Sequence, residues 1–209
     1  MKIYFLIIGF TGFCLFAKAQ SAEVHFTQEQ DQQFESQVKG YVRDFCYYLE
    51  DLANSGTNPA DKKQLKKDIK SLFVNTAAIE VLSVSHPRRA RSYPISDYLN
   101  IVGNYASKYK FVALQFYRVV VDINHLRDTT IDGENMYVGS YSYWQRFLSS
   151  NADKESNDYS KTDFSKGGSD ETLKVGAFYI RKIKTKSNAN KEQWYVLLGD
   201  IKAKEIKPI

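Results

Sequence analysis

Apolar residues at Phe34, Val38, Tyr41, Val42, Phe45, Leu49 and Leu52 recur in steps of three and four, which predicts one long amphipathic helix over 27–53. Thr27 with Gln30 offers a capping box at its start, and Asn54-Ser55-Gly56 stops it. A second helix opens at Asn58-Pro59, with Asn as N-cap and Pro in the first turn. It places Leu65, Ile69 and Leu72 on one side and Lys63, Lys66, Lys67 and Lys70 on the other, a lysine stripe that reads as a solvated face. A short strand is expected at 77–84, then a basic loop, His86-Pro87-Arg88-Arg89-Ala90-Arg91. A third helix follows from near Ser96 and carries Leu99, Val102 and Tyr105 inward.

After this helix the period changes to two. Segments 109–123, 136–148, 173–185 and 193–206 are rich in Val, Ile, Tyr, Phe and Trp, as strands are. Asp132-Gly133 and the stretch 187–190 supply turn signals between neighbours. In the first of these strands Phe111, Ala113, Tyr117 and Val119 alternate with Val112, Leu114, Phe116 and Val120, so both faces are apolar. Such a sheet has one face on the helices and the other covered by its own curvature or by a second subunit.

Residues 149–172 break the pattern. They are rich in Ser, Asp, Asn and Lys and nearly free of aliphatics, and read as a long mobile polar insertion between strands. Its acids (Asp153, Glu155, Asp158, Asp163) lack the glycine and the glutamate that an EF-hand calcium loop places at its sixth and twelfth positions, so they read as a solvated loop.

The N-terminus carries an address. Lys2, an apolar run over 3–16 and Ala17-Lys18-Ala19 make a secretory signal peptide over 1–19, too short to span a bilayer. Cleavage there leaves a single α+β domain over 20–209 and a periplasmic or secreted protein. It also changes the composition: 29 basic residues become 27 against 24 acidic, so a net charge of +5 becomes +3. Of two cysteines only Cys46 stays, which excludes an internal disulfide and a cysteine-rich zinc site. Cys46 itself reads as a buried helix residue.

Helix, helix, short strand, helix and then four long antiparallel strands resembles the nuclear-transport-factor-two-like superfamily, which includes ketosteroid isomerases and polyketide cyclases. Leu72-Phe73 followed by Ala77-Ala78-Ile79-Glu80 is similar to the family's junction between its second helix and first strand. Gln193-Trp194-Tyr195-Val196-Leu197-Leu198 is similar to its closing strand. The resemblance covers 28–204 and implies an α+β, cystatin-like cone, with helices packed in a curved antiparallel sheet. It also implies an isomerase base directly after a Val/Ile-Glu pair on the first strand. Here Ile79-Glu80 is followed by Val81, which takes no proton, and alternation turns Glu80 to the opposite face.

Other signatures are absent: there is no G-x-S-x-G elbow, P-loop, G-x-G-x-x-G or H-E-x-x-H. His25, His86 and His125 lie far apart in non-helical segments and read as solvated. No metal site and no cofactor are expected. What remains is charge and tyrosine within strands. Arg118 shares a strict-alternation face with Val112, Leu114 and Phe116. Arg181 follows Leu173, Val175 and Tyr179, and Asp200 follows Trp194, Val196 and Leu198. Each reads either as a charge at the point where its strand leaves the core, or as part of a ligand site with Tyr141 and Tyr143 at the mouth of the cone.

Charge is segregated along the chain. Residues 21–53 hold seven acids and two bases, 58–91 eight bases and three acids, and 174–207 nine bases and three acids. For an exported protein this suits an ordinary solvated surface, or an anionic polymer or acidic partner, rather than nucleic acid.

The leading expectation is therefore a non-catalytic exported domain that binds a small ligand or an envelope protein, with homodimerisation through the outer sheet face. The alternatives are a small-molecule isomerase, cyclase or hydrolase of the same fold, using Tyr and Asp in the cone for proton transfer, and an assembly component of an envelope secretion machine. A deep cavity holding a carboxylate with a tyrosine nearby favours the enzyme, and a cavity plugged by side chains favours the binder.

Overall fold

Helix α1 (Gln28–Ala53) starts at the capping box the sequence offers: Gln30 N donates to Thr27 Oγ1 at 3.2 Å, and Thr27 N donates to the Gln30 side chain at 3.0 Å. The computed structural model describes residues 26–54, 56–83, 86–150, 169–184 and 192–208. The expected signal segment 1–19 and most of the polar insertion lie outside them. Of that insertion, Ser149 and Ser150 end one strand, and 169–172 begin the next.

The buried stripe of α1 is Phe34, Val38, Val42, Phe45, Cys46, Leu49 and Leu52. Helix α2 (Pro59–Ser71) begins where Asn58 accepts from Asp61 N at 2.9 Å, and helix α3 (Ile95–Gly103) follows Pro94. No helix among the described residues is long and apolar enough to cross a membrane.

Six strands form one mixed sheet: β1 (Ala78–Ser83), β2 (His86–Pro94), β3 (Phe111–Ile131), β4 (Glu134–Ser150), β5 (Ser169–Lys184) and β6 (Glu192–Pro208), in the order β2-β1-β6-β5-β4-β3. Strand β1 runs parallel to β6, and the remaining neighbours are antiparallel. The 132–133 turn is a two-residue hairpin loop with Asp132 at φ 52° and Gly133 at φ 81°, the conformation that Asp-Gly supplies.

Residues 86–91, expected to be a loop, belong to β2. That strand pairs with β1 from Ala78↔Pro94 to Val81↔Arg91. Its proline and arginines hid it, yet they suit its place: β2 is an edge strand, and Arg88, Arg89 and Arg91 are exposed along it. Charge on an edge discourages pairing with another chain. His125, likewise expected in a loop, falls within β3, which runs eight residues beyond its expected end.

The sheet curls because its ladders slip. Register shifts interrupt β3–β4 between Tyr117 and Val120 and between Asp122 and Arg127, and β5–β6 at Leu173/Lys174 and at Gly176/Phe178. Each irregularity bends its strand. The concave face carries Tyr141, Tyr143, Phe178, Ile180, Val196, Leu198 and Ile201, all in one core with α1. On the other face of β5, Leu173, Val175, Ala177 and Tyr179 are half-buried.

The other edge of the sheet is β3, and there α1 supplies what a further strand would. Val112 N donates to Asn54 Oδ1 at 3.3 Å, and Leu114 N donates to Glu50 Oε2 at 3.1 Å.

Candidate active site

Alternation along β5 builds the site. Asp170, Thr172, Lys174, Gly176, Phe178 and Ile180 share the inward face by the period of two. The three nearest the start of the strand are polar. They border a cavity of about 710 Å3 that also takes Tyr98 and Val102 from α3 and Leu114 from β3. An aromatic wall completes it: Tyr105, Tyr109 and Phe147 meet edge-to-face, with ring centroids 5.7–6.2 Å apart. Such a chamber takes a small, largely apolar molecule and offers it a few polar groups.

Those polar groups have altered acidities. Burial pushes the Asp170 carboxyl above the usual carboxylate range, against the opposing effects of a 3.3 Å hydrogen bond from Thr172 Oγ1 and of nearby Lys174. Burial pushes the Lys174 ammonium down to about 8, opposed by its acidic neighbours Asp170, Cys46 and Glu80. Lys174 Nζ donates to the backbone carbonyl of Glu80 at 2.9 Å. Burial raises Tyr98, and the neighbouring Tyr105, Cys46 and Asp170 add to the effect; Tyr105 is raised chiefly by burial as well. Both phenols are thus held protonated, as hydrogen-bond or proton donors. The cavity therefore holds a carboxylate of raised basicity, an amine of lowered acidity threshold and two phenolic donors, the parts that general acid–base chemistry uses.

Val81, in the position where the resemblance puts an isomerase's base, does line this cavity. The carboxylate there instead comes from Asp170 on β5.

The six residues singled out from sequence are not brought together, and none of them borders this cavity. Tyr141 and Tyr143 are buried in the core with their rings stacked, centroids 6.1 Å apart. Arg181 donates to Glu134 at 3.4 Å, and Tyr179 and Arg181 lie on the sheet's other face. Arg118 and Asp200 are exposed, away from the faces that strict alternation assigns them. Arg118 sits at the Tyr117/Val120 slip with φ 55°, and its guanidinium lies over the Tyr117 ring. Asp200 lies beside the Gly176/Phe178 slip and accepts from Ala78 N at 2.8 Å. An extra residue in a strand reverses the parity of everything beyond it, which is why alternation misplaced these two.

Sequence reasoning placed Tyr105 inward but missed Tyr98, Asp170, Thr172 and Lys174. The signal was present as Asp-x-Thr-x-Lys-x-Gly-x-Phe-x-Ile, a polar series at period two leading into buried apolar residues.

No family model matches the chain, and no curated protein matches it. Solved structures do. A scytalone dehydratase-like protein from Novosphingobium aromaticivorans is 8% identical, covers 87% of this chain and 91% of its own, and superposes with a TM-score of 0.40. A protein from Kribbella flavida is 15% identical over 85% of this chain and 91% of its own, at 0.37. The hexachlorocyclohexane dehydrochlorinase LinA-type3 from Novosphingobium barchaimii is 8% identical over 87% and 94%, also at 0.37. The chain's own element order and curled mixed sheet make it an α+β fold with helices packed in a curved sheet. The likeness is one of shape and transfers no residue's role.

The expectation of a non-catalytic binding domain is corrected. In this chain the cavity is not plugged, and a carboxylate borders it beside Tyr98 and Tyr105, the arrangement that favours catalysis over simple binding.

Proposed function

We propose that this protein is a small-molecule enzyme that moves a proton on an apolar substrate held between α3 and the concave face of the sheet. Asp170 takes the proton, and Tyr98 or Tyr105 donates to the substrate atom where charge develops. The observation that carries this reading is the placement of Asp170: a carboxylate bordering an apolar, aromatic-walled cavity, with its basicity raised by burial. A desolvated carboxylate is a stronger base than one in water, and general base catalysis contributes roughly 100- to 10,000-fold.

The test needs no knowledge of the natural substrate. Ring opening of 5-nitrobenzisoxazole requires only removal of one C–H proton, and its phenolate product absorbs visible light. The purified chain should open this probe faster than buffered acetate does, and Asp170→Asn should lower the rate at least about ten-fold while Asp200→Asn leaves it unchanged. Equal rates for the chain and for Asp170→Asn would overturn the reading.

We also propose, on the N-terminal pattern alone, that the chain is exported and cleaved after Ala19. Finding residue 20 at the N-terminus of protein recovered outside the cytoplasm supports this, and an uncleaved Met1 refutes it. Pairing of two copies through the half-buried outer sheet face is a further proposal, and sedimentation as a monomer at micromolar concentration would refute it.

A further inference from the structure

Lys174 is an unusual residue to find inside a protein. Its side chain is 6% exposed, it projects from the concave face of β5, and it borders the same cavity as Asp170 and Tyr98. No carboxylate among the described residues lies within ion-pairing distance of it, and its hydrogen bond among them runs to the neutral carbonyl of Glu80. A structural lysine at such depth is ordinarily paired with an acid, because an unpaired buried charge costs several kcal/mol. The sheet here holds an unpaired amine against a substrate-sized, aromatic-walled space, with a carboxyl group two pleats away on the same face.

We propose that the Lys174 amine condenses with the carbonyl group of a small ketone or aldehyde held in this cavity, which makes the substrate class a carbonyl compound bearing an α-hydrogen. This rests on the proton-transfer reading above and deepens it. The nitrogen lone pair attacks the carbonyl carbon and the C=O π bond breaks. The oxygen takes a proton from Tyr98 or from protonated Asp170, and the nitrogen loses one. The resulting hydroxyl takes a second proton and leaves as water while the C=N bond forms. The positive charge on that iminium nitrogen acidifies the adjacent C–H, so Asp170 can remove its proton to give an enamine. Reprotonation and addition of one water return the amine and the product, with no oxidant or reductant consumed.

Three features of the site serve this sequence. The raised acidity of its ammonium gives Lys174 a neutral fraction near pH 7.5 roughly two hundred-fold larger than that of a surface lysine. The hydrogen bond to Glu80 uses one N–H and fixes the direction of the nitrogen. The aromatic wall of Tyr105, Tyr109 and Phe147 suits a flat, unsaturated carbonyl compound rather than a sugar.

The test is reductive trapping on the full chain. Protein is incubated at pH 7.5 with 4-phenylbutan-2-one and sodium cyanoborohydride, then digested and mapped by mass spectrometry. We expect the secondary-amine adduct on the Lys174 peptide at more than about ten times the occupancy of surface lysines such as Lys67 or Lys202. That adduct should be lost in Lys174→Met, with the folded state of the variant checked by circular dichroism. Even labelling across all lysines, or an unmodified Lys174 in folded protein, would overturn the proposal, whether or not the variant folds. The two readings fail separately. Benzisoxazole opening that depends on Asp170, without trapping, removes the imine and leaves the base. Trapping at Lys174, without Asp170-dependent opening, removes the base and leaves a reactive amine.

Discussion

The ring of Tyr141 on β4 lies over Gly176, the residue it pairs with on β5, and occupies the space where a Cβ at 176 would stand. The glycine is required by this close approach, since its backbone is not in the left-handed region. A methyl group at 176 must displace a fully buried aromatic ring in the middle of the core. Gly176→Ala should therefore lower stability by about 1–3 kcal/mol, measured as the shift of the urea unfolding midpoint. Gly40, within α1, has nothing within 4 Å of its virtual Cβ. Gly40→Ala should go the other way and stabilise by about 0.5–1 kcal/mol, because alanine is the better helix former. Equal effects at the two positions would show that the Tyr141 contact is unimportant.

Tyr141 itself carries a second expectation. It and Tyr143 are 2% and 1% exposed, and neither hydroxyl has a hydrogen-bond partner among the described residues. Burying an unpaired hydroxyl costs about 1–3 kcal/mol, and removing it leaves the ring packing intact. Tyr141→Phe and Tyr143→Phe should each leave the thermal midpoint unchanged or raise it. A fall corresponding to more than about 1 kcal/mol in either would mean that the hydroxyl is satisfied in solution.

At the open edge of the sheet, Glu50 and Asn54 accept from the backbone of Leu114 and Val112. These are side chains from the end of a helix standing in for a neighbouring strand. Asn54→Ala also removes the 2.8 Å bond from its amide to the Glu50 carbonyl. We expect Glu50→Ala and Asn54→Ala each to cost about 1–3 kcal/mol, and the amides of residues 112 and 114 to exchange with deuterium faster in the variants. Unchanged exchange at both amides would contradict the capping role.

How much of this was legible in the sequence follows from which interactions are local. The capping box of Thr27 and Gln30, the Asn58-Pro59 start and the Asp132-Gly133 hairpin are set by neighbours in the chain, and all three stand where the residues place them. Strand β2 was not legible, because His-Pro-Arg-Arg composition argues against a strand, and only pairing with β1 makes it one. The positions of two expected site residues were illegible for a related reason. Alternation locates Asp170 and Lys174 correctly, but it misplaces Arg118 and Asp200 because register slips precede them. A slip is a property of two strands together and leaves no mark at one position of one of them.

The raised acidity threshold of Asp170 predicts the shape of a rate profile. A base must be deprotonated to act, so benzisoxazole opening should rise with pH and level off once the carboxyl has ionised. Because burial lifts that ionisation, the midpoint should lie above the usual carboxylate range. Thr172→Val removes a hydrogen bond that favours the ionised form and should move the midpoint higher still. A midpoint at or below about 4, the ordinary aspartate value, would show that Asp170 is not the group being titrated.

Lys174 predicts a stability profile of opposite sign. Burial lowers its ammonium from 10.5 to about 8. Below pH 8 the amine is protonated in both folded and unfolded chains, and the folded state carries the full cost of a buried charge, about 3 kcal/mol by linkage. Between pH 8 and 10.5 the unfolded chain still holds the proton and the folded chain does not, so this cost shrinks as pH rises. Above 10.5 it is gone. Tyr98, Tyr141, Tyr143 and Cys46, all raised by burial, contribute in the opposite direction over the alkaline range. The lysine is therefore isolated by difference. Lys174→Met keeps the side chain's length, removes the charge and forfeits the hydrogen bond to Glu80, so at pH 7 it should be more stable than the parent by about 1–3 kcal/mol. That margin should decline steadily between pH 8 and 10.5 in urea titrations of the two proteins. A margin independent of pH would mean that the amine is solvated in the folded state, and a variant less stable at pH 7 would mean that the contact with Glu80 outweighs the buried charge.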